Sequence, residues 1–152
     1  MKLRRALALG AVAIVATITL AACSGGSNNT DAAIPAGSRV IDVTMIDVAY
    51  SPTTIAVAKG ETVTFRFRNE GKVVHEAVLG DADYQMKHGA SMASTTMTAM
   101  HDNGSAVNPM VTVKPGKALV LTRRFDQVGS TLIGCHQPGH YEAGMKATIQ
   151  VK

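Results

Sequence analysis

From Ser38 onward the chain alternates. Val63, Phe65 and Phe67 stand between Thr62, Thr64, Arg66 and Arg68, the period-two pattern of a strand with one face buried and the other in water. Lys59-Gly60 before this run and Asn69-Glu70-Gly71 after it are turn signals. At the C-terminus Met145, Ala147, Ile149 and Val151 share one parity, and Thr148, Gln150 and Lys152 share the other. Further runs lie near 40–48, 55–58, 73–79, 118–125 and 131–135, with Pro52 and Pro115-Gly116 marking bends between them. About seven short strands with turn signals at regular intervals predict an all-β domain, an antiparallel β-sandwich spanning residues 38–152.

Residues 81–110 break the alternation. Asp81 to His101 is rich in Ala, Met, Ser and Thr and can be helical before Asp102-Asn103-Gly104. Long insertions in compact domains are often functional. Five of the eight methionines fall here (Met86, Met92, Met97, Met100 and Met110), together with His88 and His101. Thioethers are soft neutral donors that favour Cu(I). Methionines also pack loosely against a core, and Met enrichment fits both readings equally.

The first 22 residues read differently. Lys2, Arg4 and Arg5 precede an apolar run from Ala6 to Leu20, the layout of a secretory signal peptide. The run is short for a bilayer span, which needs ~20 apolar residues. Leu20-Ala21-Ala22-Cys23 resembles the lipobox of bacterial lipoproteins. That resemblance implies cleavage before Cys23 and acylation of its thiol. Residues 23–37 are small and polar and suit a flexible tether lifting a domain off a membrane. Without residues 1–22, twelve basic side chains face eleven acidic ones, so three of the four net positive charges belong to the targeting segment. No basic patch interleaved with aromatic residues points to a nucleic-acid partner.

The chemistry concentrates in Gly134-Cys-His-Gln-Pro-Gly-His-Tyr-Glu-Ala-Gly-Met145. Cys135, His140 and Met145 offer a thiolate, an imidazole and a thioether at short spacing. With His75 as a second imidazole they match the trigonal Cys-His-His set with a weak axial Met that holds blue copper. A thiolate ending one strand and a thioether opening the next can both reach a metal at the rim of a sheet. Alone, a cysteine in an exported protein is more often half of a disulfide. Once Cys23 is acylated, however, Cys135 has no partner in the chain.

These residues resemble the cupredoxins, the plastocyanin and azurin class of blue-copper proteins, over roughly 39–152. The resemblance implies a Greek-key β-sandwich with one type 1 copper near one end. It also implies His75, Cys135 and His140 as strong ligands and Met145 as the weak axial one. Four residues separate Cys135 from His140 and four separate His140 from Met145, a longer loop than in either of those two groups. Glu76 stands where they often carry Asn. His136 is next to the copper cysteine, where some copper enzymes ligate a second, catalytic copper. Only His88 and His101 are spare, so His136 is expected to be solvent-exposed and the chain is not expected to be an enzyme. The leading expectation is one-electron transfer outside the cytoplasmic membrane, with an unidentified redox partner protein and a membrane contact through the lipid. The alternative is copper tolerance or delivery, with extra Cu(I) bound at the Met/His-rich insert.

Overall fold

The computed structural model describes residues 34–93 and 110–152. The expectations for Cys23, the leader and the tether to residue 33, and for Met97, Met100 and His101, fall outside these residues. Nine strands and one helix follow in order among the described residues: β1 Arg39–Ile46, β2 Ala49–Ser51, β3 Thr54–Val57, β4 Glu61–Asn69, β5 His75–Gly80, α1 Ala82–Ala93, β6 Met110–Val113, β7 Ala118–Phe125, β8 Gly129–Gly134 and β9 Lys146–Val151.

They form two sheets, ordered β2-β1-β4-β7 and β3-β9-β8-β5-β6. The sandwich is as expected, but its pairing is not wholly antiparallel. β1 runs parallel to β4, with Arg39 opposite Val63, and β3 runs parallel to β9, with Thr54 opposite Thr148. The reason is connectivity. After the β1–β2 hairpin the chain crosses to the other sheet as β3, then returns beside β1 in the same direction as β4.

The alternating positions close the sandwich. Val43, Met45, Val63, Phe65, Phe67 and Ile149 are all fully buried between the sheets. The Phe65 ring lies 6.0 Å from Phe67 and meets Phe125 edge-on at 6.1 Å, an arrangement the ring quadrupole favours. On the opposite parity Thr64 is also buried. Its hydroxyl bonds to Ser38 Oγ at 2.6 Å and Thr122 Oγ1 at 2.7 Å, which replace the water it loses.

The insert begins as the expected helix, α1, with Asp81 Oδ1 accepting the Tyr84 N–H at 2.8 Å as an N-cap. α1 packs on the outer face of β5 and β8. Glycine at 80 and 134 permits the approach: a Cβ at Gly80 would strike the Tyr84 ring, and one at Gly134 would strike Gln85 and Tyr141.

Three strand ends then meet at one end of the second sheet. β5 and β8 are antiparallel with Val78 opposite Gly134, and β8 and β9 are antiparallel with Gly134 opposite Lys146. The start of β5, the end of β8 and the start of β9 therefore converge.

Candidate metal centre

His75 opens β5, Cys135 follows β8, and Met145 precedes β9. The loop from 135 to 145 is closed on itself. Cys135 N–H donates to Met145 O at 3.2 Å, Met145 N–H to His140 O at 2.9 Å, and His140 N–H to Gln137 O at 2.9 Å. Gly139 takes φ of 79° in this turn, a conformation open to glycine at little cost. Each donor-bearing residue is thus held at its backbone before any metal is considered.

The donors point inward together. Cys135 Sγ lies 3.5 Å from His140 Nδ1 and 3.9 Å from His75 Nδ1. One ligand atom from each of the three residues lies within 4.8 Å of the others. Cys135, His75 and Met145 are fully buried, while His140 is half-buried. Cys135 is a free cysteine.

The electrostatics suit a cation at this point. Burial pushes the Cys135 thiol up, and N–H groups of Glu76 and Gln137 directed at the sulfur act against that shift. The Glu76 N–H reaches Sγ at 3.4 Å. Burial, and then the neighbouring His140, hold His75 below the usual histidine range, so its ring stays neutral and free to donate. A buried thiol beside the neutral His75 ring gains no positive charge from it to favour the thiolate. A soft metal ion would supply it.

Glu76 does not enter this cage with its side chain. Successive residues on a strand face opposite ways, and its carboxylate points to the outer face. There Oε1 accepts from Gln137 Nε2 at 3.1 Å, and Oε2 lies 3.6 Å from His88 Nε2. The Tyr50 hydroxyl donates to the Glu76 carbonyl from the inner side.

His136 corrects an expectation. It is 7% exposed rather than solvent-facing. Its Nε2–H donates to Gln85 Oε1 at 2.7 Å, and its ring stacks on Tyr141 at 4.3 Å and meets His88 at 5.0 Å. Helix α1 covers it, which the sequence concealed because nothing in the insert's composition says where the helix lands. Met86 is 67% exposed on that helix.

Two residues that shape the site escaped the sequence reading. Buried Asn69 ties down the loop before His75, donating through Nδ2 to the carbonyls of Val73 and Val113, both at 2.8 Å, and accepting the Gly71 N–H at 2.9 Å. Asp47 Oδ1 lies 3.5 Å from His75 Nε2. The Asn-Glu-Gly turn signal marked Asn69, but only as a turn.

The family model described as a cupredoxin-like domain matches residues 10–105. The chain is 32% identical to the copper-resistant cuproprotein CopI of Pseudomonas aeruginosa, over 76% of this chain and 77% of that one. It is 36% identical to the protein of the same name from Rubrivivax gelatinosus, over 75% of this chain and 67% of that one. Auracyanin B shares the fold, with a TM-score of 0.63 at 24% identity over 84% of this chain and 96% of that one. The chain belongs to the cupredoxin-like family, and its Cys-His-His donor set fits the copper that this membership implies.

Proposed function

We propose that this chain holds one copper ion in a type 1 site and passes single electrons through it outside the cytoplasmic membrane. His75, Cys135 and His140 would hold it as the strong ligands, with Met145 as a weak fourth. The observation that carries this reading is the convergence of Cys135 Sγ with the Nδ1 atoms of His75 and His140, buried on a loop already closed by its own hydrogen bonds. Bound copper supplies a one-electron Cu(II)/Cu(I) couple. The residues supply a cage that need not rearrange when the charge changes, because three strand ends hold it.

A second reading, copper tolerance, is favoured by the names of the two relatives described above. In that role the same site holds copper, and the insert takes up additional Cu(I). Copper stoichiometry separates the two. A single tightly held, reversibly reducible ion supports the carrier, and further exchangeable Cu(I) supports tolerance. Neither role calls for a reaction catalysed on a substrate.

The test of the site is optical. The full-length chain purified in detergent and loaded with Cu(II) is expected to show an intense visible thiolate-to-copper band with a matching electron paramagnetic resonance spectrum. Cys135→Ser is expected to abolish the band. A colourless copper-loaded protein, or an unchanged band in Cys135→Ser, would overturn the assignment.

The location rests on the lipobox-like Leu20-Ala21-Ala22-Cys23. Acylation at Cys23 would tether the domain to the membrane through residues 23–37, within reach of a redox partner protein. Cys23→Ala is expected to abolish lipid labelling, and labelling that persists in the variant would exclude the anchor.

A further inference from the structure

Asp47 and Val48 are the two residues linking β1 to β2, a hairpin in which Ile46 stands opposite Ala49. Val48 has φ of 66°, the one positive φ outside glycine among the described residues. A β-branched side chain is a poor choice for that region, and glycine or asparagine would fit it more easily. The turn is therefore held by something beyond its own propensity.

The contacts of Asp47 show what holds it. Its Oδ1 accepts the Lys72 N–H at 2.8 Å, which couples the hairpin to the loop that leads into His75. The same oxygen lies 3.5 Å from Nε2 of His75. That ring nitrogen is otherwise buried without a hydrogen-bond partner. Gly71 makes the approach possible. A Cβ at that position would collide with Asp47 Oδ1 and come within 3.0 Å of His75 Nε2. The oxygens of an aspartate carboxylate are acceptors, and this one faces the ring N–H position.

We propose that Asp47 is a positioning residue for the copper site, its carboxylate holding the Nε2–H of His75 so that Nδ1 is fixed toward Cys135. This rests on the reading of His75 as a ligand. A histidine whose outer N–H meets a carboxylate is locked in one tautomer and one orientation, and becomes a stronger donor. A stronger donor favours Cu(II) over Cu(I), so Asp47 would also lower the reduction potential. The strained turn at Val48 and the missing side chain at Gly71 are then parts of one device, one presenting the carboxylate and the other leaving room for it.

The full-length chain in detergent, its Asp47→Asn and Asp47→Ala variants and His75→Ala provide the test. Asp47→Asn keeps an oxygen for the Lys72 N–H but loses the charge, so it separates the effect on the ring from loss of the loop. Its Cu(II) affinity is expected to fall by about tenfold, the lower end for such outer partners, with Cu(I) affinity little changed. The midpoint potential rises accordingly, by about 59 mV for each tenfold in a one-electron couple. In the metal-free proteins at pH 8, nitrogen-15 chemical shifts of His75 are expected to report the Nε2–H tautomer in the parent and a tautomer mixture in Asp47→Ala. Asp47→Asn with parental affinity and potential, together with an unmixed tautomer in Asp47→Ala, would overturn the proposal while leaving the copper ligands in place. His75→Ala that kept both copper and the visible band would remove His75 from the site, and Asp47 with it.

Discussion

At Cys135 and His136 one step along the backbone separates two environments. The cysteine sulfur faces inward, toward His75 and His140, and the adjacent imidazole faces outward, under helix α1. Burial, followed by the neighbouring His88, holds His136 below the usual histidine range. It is neutral at pH 7, and its single N–H goes to Gln85 Oε1. Gln85 in turn donates to Val78 O at 2.8 Å, with the Gly80 and Leu132 carbonyls at 3.4 and 3.3 Å, so this pair pins the helix to β5 and β8. His136→Ala would remove a stacked ring and strand a buried amide oxygen. Cavity formation and an unsatisfied acceptor together are worth about 2–4 kcal/mol. A fall of that size is expected in the urea unfolding free energy of the metal-free protein, with the visible band of the copper form nearly unmoved. An unchanged urea midpoint would mean that His136 does not anchor the helix.

The elements were legible where a single physical signal dominated. β4 and β9 stood out because period two and burial on one face coincide in them. The meeting of Cys135 and His140 with His75 was legible because soft donors at short spacing are uncommon, and the closed loop holds its residues near the ends of β8 and β9. β2 and β6 were missed. Each has only three or four residues, too few for a period to register, and β6 exists through its pairing with β5, where Val113 meets His75. The parallel pairings were missed because alternation reports which face is buried and carries no information about direction. Asp47 was missed for a related reason. A charged residue in a turn normally reads as solvated, and its side chain is indeed 45% exposed. Its relation to His75 spans 28 positions of sequence and is created by the β1–β4 pairing and the loop that follows.

Across the whole molecule, the proposed ligands link parts of the chain that strand pairing alone joins only at one end. His75 comes from β5, and the other three come from the loop between β8 and β9. Asn69 and Asp47 extend the linkage to the first sheet, through β4 and the β1–β2 turn. A ligand that binds only where these parts come together stabilises the folded state by mass action, by about 2.7 kcal/mol when its free concentration is a hundred times the Kd. For a domain of this size 1 kcal/mol moves the melting temperature by a few degrees. Copper at that excess is therefore expected to raise Tm by about 10 °C in a calorimetric scan of the full-length chain. With Cys135 as the proposed thiolate ligand, Cys135→Ser should lose most of the shift. His136→Ala should start from a lower Tm and still gain nearly the full increment, since its ring lies on the outer face of the sheet. Equal increments in the parent and Cys135→Ser would show that the stabilising copper binds elsewhere on the chain, and would separate thermal protection from the Cys-His-His cage.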